Sequence, residues 1–535
     1  MPPLDAIIAA GITFTRADLG AVAPVVVLSL TAFAVLLVDP FLRAAPKGEA
    51  AAGADGAASG GPKLALSFIG LTGVAVAAAA VVWFWGEDAA RQAGEALTPV
   101  GRSIVTGGLA QFLGIVILGA SALALLYSID YTARMGIEYG EYYGLLLFAA
   151  AGMLLLITAN DLIVLFIAFE LMSLSIYAMV GVARTDPRSA EGAMKYFVLG
   201  AFSSGFLLYG LALLYGSTGT IYLDEMAAAT RAGHGAASAA GAAGLFLAAL
   251  GLLLVGFGFK VGAVPFHAWI PDAYQGAPAA VTGYMAVAVK AAAFGVFFRV
   301  LASTGAMYLP SLPAGADIAE SIPRAFWALS IVTMVVGNFA ALTTSNLKRL
   351  FAWSGIAHSG YILVGLTAAG TSREAAAASL FYLATYAAMT IGAFTVLVML
   401  RREGRDIEDI DDLRGLAQER PGLALAMTIF MASFVGIPPT AGFIGKLWVF
   451  KSAVEAGYTG LVVIAVLTTL VSIYYYLRPI VVMFMYEPAG VTVPRPEEWG
   501  GRVAVFIAAV ATLWLGISPT TPLAAADAAM KGLLP

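Results

Sequence analysis

Residues Gly251 to Ala280 read GLLLVGFGFKVGAVPFHAWIPDAYQGAPAA. An apolar run carries one charge, Lys260, at its heart. Five residues on stands Pro265, and His267 follows. A lysine near a bilayer centre costs about 2.5–3.5 kcal/mol on insertion scales, so it is tolerated only when it faces a partner or water. Proline removes a backbone donor and interrupts the helix. Irregular backbone survives at membrane depth only where it is buried in protein or lines a wet cavity. A charge beside such a break predicts a segment that handles a proton, with Pro265 freeing backbone and admitting water where the proton changes hands.

Composition sets the surroundings of that stretch. Of 535 residues, 60% are hydrophobic and only 12% charged, with mean hydropathy +0.88. A soluble domain carries roughly 25% charged residues. The chain therefore reads as an all-α polytopic membrane protein. It has no cysteine, which excludes disulfides and thiolate-held metal. The three histidines, His234, His267 and His358, lie far apart, so neither a haem nor a metal site is expected. A pI near 5.5 speaks against nucleic acid. The first apolar run begins after Asp18 and is too long for a cleavable signal peptide. No phosphate loop, dinucleotide glycine motif or nucleophile elbow appears in a strand–helix context.

At roughly 20 apolar residues per crossing, about fourteen transmembrane helices follow. The first lies near 20–42, and an Ala/Gly-rich linker of low complexity at 44–63 separates it from the second, 64–85. Spans then come at 108–129, 141–159, 161–183 and 193–216. Only Asn160-Asp161 separates the fourth from the fifth, which predicts a tight hairpin. A polar loop with Asp224, Glu225 and Arg231 precedes the seventh span, 241–273, which is in two pieces around Pro265. Further spans are 277–302, 323–344, 347–369 and 374–401. After a charged loop at 401–420 comes the twelfth, 421–456, broken at Pro438-Pro439; the last two are 460–486 and 502–519.

Loops after odd-numbered spans hold about sixteen lysines and arginines, and the other side about nine. Positive residues favour the cytoplasm. Both termini are therefore expected outside. Four basic residues remain, each inside a span: Lys260, Lys290, Lys446 and Arg478. Among the acids, Glu170 falls mid-span in FIAFELMSLSIYAM.

The break at Pro265 has a counterpart five spans later in GIPPTAGFIGK, where Pro438 and Pro439 precede Lys446. Transporters built from inverted repeats show interrupted helices at corresponding positions of the two halves, with the site at the break. Residues 141–302 and 323–486 are accordingly read as two five-helix repeats. An odd number of spans per unit inverts the second relative to the first. Residues 1–140 hold three preceding helices and the linker, and 487–535 the last helix and a C-terminal tail.

Several side chains could carry chemistry. Burial penalises the charged form of a carboxylate or an ammonium, and an opposite charge favours it. Glu170 and Lys260 thus read as a pair with two accessible states, a relay element; the competing reading is a static pair that fixes packing. Lys290, among alanines in MAVAVKAAAFG, has no carboxylate close in sequence and suits a titrating amine. Lys446 extends the series, snorkelling being the alternative. Lys195, at the cytoplasmic start of the sixth span, suits either an anchor or a relay member, while Lys348 and Arg349 read as anchors. His267 could shuttle a proton near neutrality or simply pack. His358, with Ser354, Ser359 and Tyr361 nearby, could bridge the two repeats. Arg478 stays ambiguous between structural and functional roles, and His234 receives none.

Five segments together carry a resemblance: FELMSLSIYAM, EGAMKYFVLGAFSSGFLLYG, FKVGAVPFHAWIPDAYQGAP, LKRLFAWSGIAHSGYILVG and GIPPTAGFIGK. Over about 141–480 the chain resembles the antiporter-like membrane subunits of respiratory complex I. Lys446 stands where the resemblance implies glutamate in the M type of subunit, and the chain stops soon after its fourteenth span, where the L type continues into a long lateral helix. The resemblance implies a proton relay at Glu170, Lys195, Lys260, Lys290 and Lys446, with His267 and His358 on a polar axis. It implies a proton-translocating, non-redox subunit of NADH:quinone oxidoreductase, driven from a distance by quinone chemistry. No cofactor is expected in this chain: flavin, iron–sulfur clusters and the quinone site would sit in partner subunits, which include sister antiporter-like chains. The alternative within the superfamily is a subunit of a multisubunit Mrp-type cation/proton antiporter.

Overall fold

A chain crossing a bilayer must satisfy its backbone hydrogen bonds within itself, and a helix does so segment by segment. The computed structural model describes residues 15–44, 60–85, 99–232, 239–306, 316–402, 405–488, 498–531 and 533, and helices carry nearly all of them. The interior of the linker and His234 lie outside the described residues. The first six spans are Arg16–Ala44, Gly60–Phe84, Gly108–Arg134, Gly140–Thr158, Leu162–Val180 and Pro187–Thr218. The seventh, Ala239–Val261, resumes after a turn as the short helix Ile270–Gly276. The eighth joins Ala279–Tyr284, a π-helical turn at Met285–Val289 and Lys290–Ser303. Then come Ala316–Leu342, Leu347–Ala368 and Arg373–Met399. The twelfth is split into Pro421–Val435 and Ala441–Glu455, and Thr459–Met485 and Trp499–Ile517 complete the series. Thirteen helices among the described residues are long and apolar enough to cross a membrane, and the split twelfth span adds its two shorter halves.

Local chemistry explains several boundaries. The turn between the fourth and fifth spans is as short as expected, because Asp161 caps the fifth: its Oδ1 accepts from the N–H groups of Ile163 (2.8 Å) and Val164 (2.7 Å). The sixth span begins at Pro187 rather than 193. Asp186 is its N-cap, accepting from Arg188 N–H at 2.9 Å, and proline suits the first helical turn. Lys195 is thereby two turns inside the helix rather than at its start. The polar loop expected around Asp224 is instead a helix, Leu223–Ala232, and the C-terminal tail carries another, Thr520–Lys531.

The eighth span is wholly buried, and the tenth and eleventh nearly so. Around this centre the helices approach closely through small residues, as packing in lipid favours. A Cβ on Gly337 would lie 2.6 Å from the Ala357 nitrogen, and one on Gly360 2.8 Å from that of Met334, so the ninth and tenth spans meet backbone to backbone. The two breaks share a construction. The seventh span ends at Val261 before Gly262 (φ +77°), and the first half of the twelfth ends at Val435 before Gly436 (φ +91°). Each proline that follows is cis: Val264–Pro265 and Pro438–Pro439. They differ in what resumes: seven residues after the first break, fifteen after the second.

Candidate functional site

Three lysines are buried in the membrane interior. Lys260 sits in the last turn of the seventh span and is 3% exposed. Its Nζ donates to the Tyr177 hydroxyl at 3.2 Å. The rings of Tyr177, Phe169 and Tyr196 lie 4.7, 5.2 and 5.2 Å from that nitrogen. An aromatic cage of this kind attracts a desolvated cation through the ring faces. The cage is fixed by the break itself: Trp269 Nε1 donates to the Phe259 carbonyl at 3.0 Å, and the Trp269 ring stacks on Tyr196 at 3.9 Å.

The ion pair expected between Glu170 and Lys260 is not a contact. Among the described residues no salt bridge joins them; Glu170 is half-buried, and its Oε1 has no hydrogen-bond partner. It remains within electrostatic reach of Lys260. Tyr177 follows Glu170 by seven residues, two turns along one face of the fifth span. The Tyr177 hydroxyl therefore takes the place at the ammonium that sequence reasoning gave to the carboxylate.

Lys290 follows directly on the π-helical turn, a deviation that often marks functional positions. Its Nζ donates to the Gly355 carbonyl and to Ser359 Oγ (2.8 Å), and it lies 4.9 Å from the Tyr386 ring centre. Gly355 keeps this approach open, since a Cβ there would stand 2.9 Å from the Tyr386 hydroxyl. Ser359 Oγ also lies within bonding distance of the carbonyls of Val261 and Gly355. A hydroxyl has one proton to give, so Ser359 serves one carbonyl at a time. It thereby links Lys290 to the end of the helix that carries Lys260. No carboxylate pairs with Lys290 among the described residues.

Lys446 shows why a break and a lysine belong together. Its Nζ donates to the carbonyls of Phe434 (2.8 Å) and Val435 (3.2 Å), the last two residues before the break. A helix end leaves carbonyls without intrahelical partners and presents the negative end of the helix dipole. The break places such an end inside the protein, and the ammonium fills it. The Tyr361 ring lies 5.0 Å from Lys446 Nζ. Tyr361 in turn accepts from Asn338 Nδ2 at 3.1 Å, and Asn338 Oδ1 accepts from the Tyr475 hydroxyl at 2.9 Å.

His358 stands between the second and third lysines, 1% exposed and within electrostatic reach of both. Nδ1 shares a hydrogen bond with the Tyr382 hydroxyl (2.6 Å) and Nε2 with the Tyr476 hydroxyl (3.1 Å), which also bonds Ser354 Oγ. The tenth span thus supplies Ser354, Gly355, His358, Ser359 and Tyr361 to one polar seam. The tyrosines at 177, 382, 386 and 476 were not singled out from sequence. Their one available signal is that each falls inside an apolar span, where a hydroxyl needs a partner.

Other expected members lie apart. Lys195 is exposed and pairs with Glu191 (2.7 Å) and Asp272 (2.8 Å); Asp272 also holds Arg349 at 2.8 Å. The geometry gives Lys195 a surface clamp between the sixth span and the helix after the first break. His267 is half-buried, with Nδ1 unpartnered and its ring 5.5 Å from Trp353. Pro265 is exposed, so the break turns outward while the lysine before it points in. Arg478 is half-buried on the thirteenth span. Two residues counted with the loops are in fact buried. Arg299 donates to the Val105 carbonyl at 3.4 Å, and Lys348 donates to the Ala277 carbonyl at 2.9 Å. Lys348 lines a cleft of ≈ 370 Å³ with Asp186, Arg188, Asp406 and Glu408. The clue was its position: Gly355 follows it by seven residues, on the same helix face.

Comparison with known proteins adds an independent view. The sequence pattern of the NADH:quinone oxidoreductase/Mrp antiporter transmembrane family matches residues 159–472. NADH-quinone oxidoreductase subunit N of Trichlorobacter lovleyi is 40% identical over 528 residues, 97% of this chain and 98% of that protein. A chain in the structure of respiratory complex I from Thermus thermophilus with bound aureothin is 33% identical. It superposes with a TM-score of 0.73 over 94% of this chain and 99% of its own. A chain of the Mrp complex from Dietzia sp. DQ12-45-1b reaches a TM-score of 0.77 over 97% and 98%, at 20% identity, a likeness of fold alone.

Proposed function

We propose that this chain, which belongs to the NADH-quinone oxidoreductase subunit N family, is a proton-translocating membrane-arm subunit of a bacterial complex I. The observation that carries the reading is the buried series of Lys260, Lys290, His358 and Lys446, each held by a hydroxyl or a carbonyl. In low dielectric each ammonium interacts strongly with the next. Loading a proton at one station therefore changes the cost of holding one at its neighbour. Ser359, Tyr382 and Tyr476 can pass a proton by reorienting their hydroxyls. Glu170, near the outer edge of the seam, can bias Lys260 from a distance.

In this reading the redox groups lie in partner subunits, and the chain contributes charge relay alone. Residues 141–302 and 323–486 form the two inverted units, each with a lysine at its break. Lys195 and His267 then act at the margin of the relay rather than along it. Both termini lie on the periplasmic side of the inner membrane. Higher identity to the complex I chain than to the Mrp chain, 33% against 20%, favours this over an Mrp antiporter.

The test is Lys260→Ala in the assembled enzyme, read as NADH:quinone turnover and as proton uptake in vesicles. Assembled complex with lost coupled turnover and pumping is expected. Full turnover with full pumping overturns the relay. Sodium-dependent transport by the wild type without NADH oxidation overturns the complex I assignment.

A further inference from the structure

Outside the lysine seam, an open groove of ≈ 540 Å³ runs between the first half of the twelfth span and the fourteenth. Leu425, Ile429, Phe506, Val510 and Leu513 line it, and Arg420, Arg502 and Glu498 gather at one end. Glu498 is the one carboxylate among the lining residues, and it is buried and already engaged. Arg134 stands 3.3 Å from it and Arg420 3.7 Å. Arg502 is exposed and joins no ion pair among the described residues. Among the described residues, two guanidiniums thus share the one carboxylate and a third, Arg502, stands free of any ion pair, so the described groups give that end of the groove a positive balance.

The groove also has a telling depth. From Arg502 to Leu513 the fourteenth span rises about 16 Å at 1.5 Å per residue. Half of a hydrocarbon core about 30 Å thick is nearly the same. Cations at the interface end and a purely apolar trough one leaflet deep match the two parts of one molecule. Basic pockets between transmembrane helices are known to take anionic headgroups.

We propose that this groove holds an anionic phospholipid, its phosphate on Arg502 and Arg420 and one acyl chain lying between the twelfth and fourteenth spans. The site needs none of the relay residues, so it stands or falls separately from the proton-handling role.

Native membrane vesicles containing the full chain, with whatever subunits accompany it, would be supplied with phosphatidylglycerol bearing a photoreactive group on an acyl chain. Labelled peptides would then be mapped. Labelling at the peptides carrying Leu425 and Val510 is expected, competed by unlabelled phosphatidylglycerol but not by phosphatidylcholine. Arg502→Gln should lower it about fivefold, the worth of roughly one basic contact near the headgroup. Val510→Trp, which adds bulk at a lipid-facing position, should abolish it while the subunits still co-purify. Equal labelling from a phosphatidylcholine probe, unchanged labelling of Arg502→Gln, or an unlabelled wild type whose groove a partner segment covers would each overturn the proposal.

Discussion

Lys290 holds its ammonium against oxygen atoms that carry no full charge: the Gly355 carbonyl and the Ser359 hydroxyl. An amine so placed can lose its proton without leaving a buried anion stranded, which suits it to alternate between two states. Lys290→Met keeps the volume and removes the charge, and such apolar replacements of buried ions are often neutral or stabilising. It should assemble normally yet lose at least about tenfold of coupled turnover, about 1.4 kcal/mol on the limiting step. Lys290→Arg should fail as well, because a guanidinium does not release its proton. Proton uptake by vesicles alongside NADH oxidation measures both. Ser359→Ala removes the link from Lys290 to the Val261 carbonyl; a smaller loss of about fivefold is expected, in line with one net hydrogen bond of about 1 kcal/mol. At this scale the lysines were legible because charge in an apolar run has few explanations. Their partners were not, because serine and tyrosine sit in spans for many reasons. Which of Lys195 and Lys348 is buried was hidden for a related cause. Distance from a span end was the available guide, but the short helix Ile270–Gly276 sets which one is covered: its Asp272 draws Lys195 outward, and the Ala277 carbonyl beyond its end takes Lys348 inside.

The two breaks do their work as elements. Each ends a half-helix inside the protein and opens with a left-handed glycine, Gly262 or Gly436. At Gly436 an added Cβ would find ordinary room, the nearest atom being Lys446 Cδ at 3.5 Å, so alanine pays for backbone alone. Gly436→Ala should cost about 1–2 kcal/mol, the penalty of a left-handed L-residue, seen as a lowered unfolding temperature with the relay still working. Gly442 is different. Its Cβ would fall 1.9 Å from the Ser433 carbonyl, the contact that seats the second half of the span against the first. Gly442→Ala must push the halves apart, at a cost of about 1–3 kcal/mol or more by overpacking. It should also disturb the Phe434 and Val435 carbonyls that hold Lys446, so turnover falls together with stability. Proline and glycine made both breaks readable in the sequence. The unequal lengths that follow them were not readable, since a seven-residue helix is set by what it packs against and not by its own periodicity.

For the molecule as a whole, hydropathy counted the crossings well, because each must be about 20 residues long whatever its neighbours. The helices Leu223–Ala232 and Thr520–Lys531 escaped it, being too short or too polar to register as spans. Sidedness rests on a different signal, the lysines and arginines in the loops. Arg299 and Lys348 weaken that tally, since both are buried and serve packing or chemistry rather than topology. They were counted on opposite sides, so removing both leaves the bias standing, and both termini remain expected outside. The chain has no cysteine, so single-cysteine variants need no background mutations. Lys531→Cys, on the exposed C-terminal helix, should react with an impermeant maleimide in cells whose outer membrane alone has been opened. Asp411→Cys, exposed in the loop between the eleventh and twelfth spans, should react only after the inner membrane is permeabilised. The reverse pattern would turn the molecule over, and with it the side from which each break is reached, while leaving the lysine seam unchanged.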